Sequence, residues 1–190
     1  AGRLCLDAGA STGGFSDVLL RRGAAAVIAA NIGHDQLAEH VRTAPRVTVR
    51  DGTSVRDLTP ELLGTAVDLL VADLSFISLR TVIPALAGVV RRDGELLLMV
   101  KPQFEVGRAA LPRTGVVGDD AARAEAVRGV AEAAARAGLR TVAVAASYPD
   151  DVAKLFADFL GRGGIEVVAA SAADIDTAAE VGNLPADQVV

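Results

Sequence analysis

The chain has one cysteine and two histidines, and of its nineteen basic residues only Lys101 and Lys154 are lysine. A single cysteine excludes an intramolecular disulfide and any thiol-rich metal site. Cys5 sits in the apolar run Leu4-Cys5-Leu6, where a free cysteine reads as a small buried residue. His34 and His40 could share a helix, but no cysteine or acidic cluster accompanies them at ligand spacing, so no metal is expected. No stretch reaches the ~20 apolar residues of a membrane span, and no basic segment followed by an apolar one marks a secretory signal. These absences predict a cytoplasmic protein with no membrane association. Positive charge is also short. The formal net charge is −5, the wrong sign for a stand-alone nucleic-acid binder. Either the partner is not a nucleic acid, or its phosphates are held by something outside this chain. A strand pattern begins within two residues of Ala1, which suggests a fragment whose upstream part is missing.

What is present is a domain-sized chain of 190 residues, 51% apolar, in which short apolar runs alternate with helix-period segments. Strands are predicted at Arg3–Leu6, Ala26–Ala30, Arg46–Val49, Val67–Ala72, Glu95–Val100 and Thr141–Ala146. Helices are predicted at Gly14–Arg22, His34–Arg42, Leu79–Val90 and Asp119–Ala137, with a short one begun by the cap-and-proline pair Thr59-Pro60. Strands alternating with helices signal a mainly parallel sheet with helices on both faces, and near-continuously apolar strands fit burial from both sides. After Ser147 the pattern weakens: Asp151–Leu160 reads as helical, Ile165–Ser171 as a last strand, and Ala172–Val190 has little pattern. One domain over residues 1–190 is the economical reading. In such sheets ligands bind at the carboxyl ends of the strands, so the residues just after each apolar run carry the interest.

The first strand runs into Asp7-Ala8-Gly9-Ala10-Ser11-Thr12-Gly13-Gly14-Phe15. Glycines there let backbone approach a ligand, and the helix start that follows offers unpaired N–H groups. The dinucleotide fingerprint needs glycine two residues after the first, and Ser11 holds that place. A phosphate loop fails too, because no lysine follows Gly14. An acid at the strand end opposes a pyrophosphate but suits an ammonium, such as that of S-adenosylmethionine. The second strand normally delivers an acid to a cofactor ribose; here it ends at Asn31, whose amide makes a weaker, uncharged contact. Asp51, after the third strand, either meets the adenine end of the cofactor or is simply a turn residue before Gly52.

Two further strand ends each carry one ionisable residue: Val71-Ala72-Asp73-Leu74-Ser75-Phe76-Ile77-Ser78 and Met99-Val100-Lys101-Pro102-Gln103-Phe104-Glu105. A lysine at such an edge, near Asp73, can be tuned toward proton transfer or held charged as an orienter. Methylating a sugar hydroxyl calls for both a base and tight positioning, and this pair could supply them. The alternative is a buried ion pair that only closes the strand ends.

Taken together, LDAGASTGGF, VADLSFISL, VKPQFEVG and GVVGDDAARAEAV resemble the TlyA/hemolysin A family of ribosomal RNA ribose 2′-O-methyltransferases, within the FtsJ-like class. The resemblance covers roughly Leu4 to Ser147, leaving 148–190 divergent. It implies a Rossmann-like methyltransferase fold, S-adenosylmethionine as donor, and a Lys-Asp-Lys-Glu catalytic tetrad. Asp73 then falls on the aspartate, which also lies against the cofactor, and Lys101 on the second lysine. The first lysine belongs upstream of this chain. The glutamate falls on Glu166 in Gly163-Gly164-Ile165-Glu166, where the family's G-N-V/I-E asparagine is replaced. The cofactor would be held by Asp7, Gly9, Ala10, Ser11, Thr12, Gly13, Gly14, Phe15, Asn31, Asp51 and Asp73. The family also implies a small N-terminal RNA-binding domain outside this chain, which would deliver ribosomal RNA or a ribosomal subunit. Two other functions stay open: a cofactor-binding module without catalysis, for which binding without methyl transfer is expected of this chain, and a membrane-active hemolysin.

Overall fold

The structure, a computed structural model, describes residues 1–107, 117–139, 141–146 and 166–172, with residues 111, 113, 115, 158, 161 and 162. It forms two compact units, Ala1–Leu111 and Pro112–Val190.

The first unit is built on five strands: β1 (Leu4–Ala8), β2 (Ala26–Ala30), β3 (Val47–Arg50), β4 (Val67–Ala72) and β5 (Val90–Leu98). All neighbours are parallel, in the order β3-β2-β1-β4-β5. The chain winds outward from β1 through β2 to β3, then crosses back to lay β4 on the other side of β1. The crevice at the carboxyl ends of β1 and β4 is therefore the switch point where ligands lodge in open parallel sheets. Ala8 pairs with both Ala30 and Ala72, so Gly9, Asn31 and Asp73 leave the sheet at one level. Leu6, Val27, Val67 and Leu70 are fully buried, as expected of central parallel strands covered on both faces. The strand β5 differs: its exposure alternates, with Glu95 exposed and Leu97 half-exposed. It also starts earlier than the apolar run suggests: Val90 pairs with Val67 and Glu95 with Leu69, and the register shift between them leaves Arg91–Gly94 as an irregularity in the strand.

Helices α1 (Gly14–Arg21), α2 (Glu39–Arg42), α3 (Pro60–Leu63), α4 (Leu79–Gly88) and α5 (Pro102–Glu105) connect the strands. Thr59 caps α3 by accepting from the Leu62 N–H at 3.2 Å, with Pro60 at the first helical position, where its missing N–H costs nothing. On α4, Leu79, Val82, Ile83 and Leu86 are buried, the i, i+3, i+4, i+7 stripe of a helix laid on a core.

The helix expected over His34–Arg42 shrinks to its last four residues. Asp35 has φ 54°, and its N–H is taken by Asp51 Oδ2 at 3.0 Å. The Ala38 N–H goes to the Thr12 carbonyl at 3.0 Å. Donors committed to other loops cannot build a helix ladder, and tertiary contacts override the local pattern. The short helix α5 falls within the strand-end phrase that begins at Lys101, and the sequence reading assigned it no element.

The second unit contains α6 (Asp120–Arg136) and the parallel pair β6 (Thr141–Ala146) and β7 (Glu166–Ala172). Asp119 caps α6 by accepting from the Ala122 N–H at 3.0 Å. The strands predicted at Thr141–Ala146 and Ile165–Ser171 are present, the latter shifted by one residue. Of the helix predicted at Asp151–Leu160 only Asp158 is among the described residues, and it is helical; of Ala172–Val190 only Ala172 is described.

Candidate active site

The glycine loop between β1 and α1 holds three residues with left-handed φ, Gly9, Ser11 (φ 48°) and Gly13, and the two glycines have different jobs. Gly9 has φ 84°, and a Cβ there would stand 2.8 Å from Leu74 Cδ2, on the segment after β4. Gly13, φ 91°, is the N-cap of α1, where a Cβ would meet Leu37 and Val41 at 2.9 and 3.0 Å. Neither site admits a side chain, on backbone or on space. The Gly9 and Ala10 N–H groups both reach the Ala30 carbonyl, at 2.9 and 3.1 Å, which ties the loop to the end of β2. Ala10 is buried, while Ser11, Thr12 and Gly14 are exposed, and nothing lies within 4 Å of a Cβ built on Gly14. Phe15 is partly buried. The loop thus presents small groups and open backbone to solvent.

Asp7 is 1% exposed. Its Oδ2 accepts from the Ser16 N–H at 2.9 Å and from the Ser16 hydroxyl at 2.7 Å. Burial pushes its carboxyl above the usual range; the two Ser16 bonds work against that rise, and the negative charge of Asp73 adds to it. Ser16 carries no motif signal, so the sequence reading missed it.

The ends of β2 and β3 are stitched together in the same way. The Asn31 amide donates to Gln36 Oε1 at 2.7 Å, its N–H goes to the Arg50 carbonyl at 3.0 Å, and its carbonyl receives the Thr53 N–H at 2.9 Å. Asp51 holds the Asp35 N–H, so it does act as a loop organiser. Asp7, Asn31 and Asp51 share one pattern: one side-chain polar atom is bonded to a neighbouring helix start or loop, and no hydrogen bond from the described residues reaches the remaining side-chain oxygen.

The ends of β4 and β5 bring Asp73 and Lys101 together. The Met99 N–H bonds the Ala72 carbonyl at 2.9 Å, extending the ladder just past β5. Lys101 Nζ stands 2.5 Å from Asp73 Oδ1, an ion pair without hydrogen-bond geometry at that oxygen. The Lys101 ammonium also donates to Ser75 Oγ at 3.2 Å and lies 5.9 Å from the centroid of the Phe104 ring. Both charged side chains remain partly open, 22% for Lys101 and 37% for Asp73, while Asp73 Oδ1, the oxygen facing the ammonium, is itself buried. Phe76, φ 63° and 92% exposed, meets Phe104 with ring centroids 5.3 Å apart.

Glu105 fixes this arrangement from beneath. It is buried and accepts from Ser78 Oγ at 2.5 Å and from the Leu79 N–H at 2.7 Å. A carboxylate from the segment after β5 therefore caps α4, whose own N-cap Ser78 makes no side-chain cap, and a negative charge there meets the positive end of the helix. Ser75, Phe76, Phe104 and Glu105 lie inside the two distinctive phrases, but only the fold shows which of them touch.

Glu166 is the first residue of β7, in the second unit, and is exposed. No group of three or more histidine, cysteine, aspartate or glutamate residues suited to a metal is found among the described residues. No helix among them is long and apolar enough to cross a membrane.

Residues 1–150 match the FtsJ-like methyltransferase family. Residues 122–190 also match the arylmalonate decarboxylase family, over a minority of the chain. The 16S/23S rRNA (cytidine-2′-O)-methyltransferase TlyA of Mycobacterium tuberculosis is 56% identical over 147 residues, 77% of this chain and 55% of that protein. Hemolysin A of Brachyspira hyodysenteriae is 35% identical over 64% of this chain and 51% of its own length. The chain thus spans about half the length of these curated relatives. Among solved structures, a putative hemolysin from Lactococcus lactis superposes with a TM-score of 0.70 at 35% identity, covering 72% of this chain and 66% of that one.

Proposed function

The chain belongs to the FtsJ-like methyltransferase family, and from that premise we propose that it binds S-adenosylmethionine and serves ribose 2′-O-methylation of ribosomal RNA. The observation that carries the proposal is the ion pair between Asp73 and Lys101 at 2.5 Å, at neighbouring strand ends on the edge that also carries the glycine loop. Its substrate is suggested by the relative that is named a methyltransferase of 16S and 23S rRNA.

The residues fit such a cofactor. Asp7 offers a carboxylate oxygen to the ammonium of the methionyl group. Gly9 to Gly14, with Phe15 behind them, give a surface without bulky side chains. Asn31 keeps an oxygen for a ribose hydroxyl, and Asp51 keeps one at the adenine end. Bound there, S-adenosylmethionine supplies an electrophilic methyl group on sulfur.

The protein's part is to prepare the attacking hydroxyl. Lys101, gripped by Asp73 and Ser75, is positioned to donate to the ribose oxygen and to stabilise negative charge as its proton leaves. The Asp73 carboxylate is the nearest group able to receive that proton. Holding the oxygen in line with the methyl removes much of the entropic barrier. Glu166 has the lesser share of the proposal, because it stands beyond the family match. Glu166→Gln is expected to slow transfer by no more than ~10-fold; an unchanged rate would leave Asp73 and Lys101 as the whole acid–base set of this chain.

With a net charge of −5, RNA affinity is proposed to come chiefly from an additional RNA-binding segment or from the ribosomal subunit itself. The decisive experiment replaces Lys101 by alanine and measures labelled methyl transfer to ribosomal subunits beside cofactor binding by calorimetry. Transfer should fall ~10²–10⁴-fold while cofactor affinity stays within about twofold. Retained transfer would remove Lys101 from the mechanism. Cofactor binding without transfer by the unaltered protein would favour the binding-module reading.

A further inference from the structure

Asp7 and Ser16 form a contact that the proposed chemistry does not by itself require. The residue Ser16 is completely buried and is the third residue of α1, where a backbone N–H has no partner within its own helix. The N-cap, Gly13, has no side chain to offer it. Asp7 supplies the acceptor from the end of β1, and the Ser16 hydroxyl adds a second bond to the same oxygen. Two donors from one residue converging on Oδ2 fix the plane of the carboxylate. No donor among the described residues reaches Oδ1.

We infer that Ser16 is a positioning residue for the cofactor: it anchors Asp7 through Oδ2 so that Oδ1 receives the ammonium of the bound methionyl group. This rests on the cofactor reading above. The hydroxyl has a second consequence. Burial and the charge of Asp73 both favour the protonated form of Asp7, and the Ser16 bonds oppose them. Without the hydroxyl, Asp7 is both less fixed and more readily neutralised, and each change weakens its attraction for a cation.

The test compares two ligands by calorimetry: S-adenosylmethionine, and 5′-methylthioadenosine, which keeps the nucleoside and sulfur but has no amino-acid end. In Ser16→Ala, affinity for S-adenosylmethionine should fall about 10-fold, the size of one hydrogen bond to a charged group. Affinity for 5′-methylthioadenosine should stay within about twofold, and Ser16→Thr should restore the first ligand. An equal loss for both ligands would reduce Ser16 to a structural role and overturn the inference, as would no loss for either. Should Ser16→Ala fail to fold, Ser16→Cys carries the same comparison, since a thiol is a weak donor of similar volume. If the unaltered protein binds neither ligand, the cofactor reading itself falls and this inference with it.

Discussion

The two halves of the sheet's carboxyl edge treat their polar groups in opposite ways. At the ends of β1, β2 and β3, Asp7 is tied to the first turn of α1 by Ser16, and Asn31 and Asp51 are tied to the loop after β2 by Gln36 and the Asp35 N–H. At the ends of β4 and β5, Asp73 and Lys101 are tied mainly to one another and remain partly open. The first half is organised as a fixed mould, in which ordering the protein in advance lowers the cost of binding. The second half keeps a partly exposed charge pair, where the proposed function places the incoming hydroxyl. Under the proposed function, the difference assigns ligand holding to the first half and the change of protonation to the second.

The largest effect that would sharpen this contrast is Lys101→Ala. Its loss should fall on transfer, with cofactor affinity kept; a comparable loss of affinity would break the division between the halves. Next comes Asp7→Asn. The amide can still accept from Ser16, but it has no charge for the ammonium, so calorimetry should show affinity for S-adenosylmethionine reduced about 10–100-fold. Its effect on stability has the opposite sign. The carboxyl of Asp7 is raised in the folded protein, so the folded state binds that proton more readily than the unfolded chain does. Its ionised form therefore detracts from stability above the folded value, and that penalty disappears as pH falls below the unfolded carboxylate range. Thermal melts at pH 7 should place Asp7→Asn at or above the unaltered protein, with the gap closing in acid. A clear drop in melting temperature at pH 7 would show that the carboxylate holds the loop together rather than serving the ligand. The smallest effect is expected from Asn31→Asp, which restores an acid to the end of β2. If Gln36 turns its amide to donate, cofactor affinity should improve a few-fold; weaker binding would show that the Asn31–Gln36 bond shapes the site more than the ribose contact does.

Much of the fold was legible because buried parallel strands must be apolar. The boundaries Ala26–Ala30, Val67–Ala72 and Thr141–Ala146 agree with the observed strands. The stretch from His34 to Ala38 was misread, since apolar spacing alone cannot show that Asp51 and Thr12 will take its backbone groups. The strand β5 was read too short for a similar reason: Arg91, Arg92 and Asp93 carry no apolar signal, and only the pairing of Val90 with Val67 ahead of that irregularity extends the strand back past Glu95. At the site, Asp7, Asp73 and Lys101 stood out because a charged residue directly after a core strand is conspicuous. Serines are common and unmarked, so Ser16 and Ser75 did not.

The sequence by itself determined the parallel α/β architecture, the glycine loop, the exclusion of a dinucleotide fingerprint by Ser11, and the two charged strand ends. Each follows from local chemistry: apolar runs, residues that tolerate positive φ, and charges too costly to leave in a core. Only the tertiary structure decided that Asp73 meets Lys101, that Glu105 caps α4, and that Ser16 takes one oxygen of Asp7 and leaves the other. Those pairings join residues that lie 9 to 28 positions apart: the Asp7–Ser16 contact closes when α1 folds back beside the end of β1, and the other two when β5 pairs with β4 and brings the segments after both strands together.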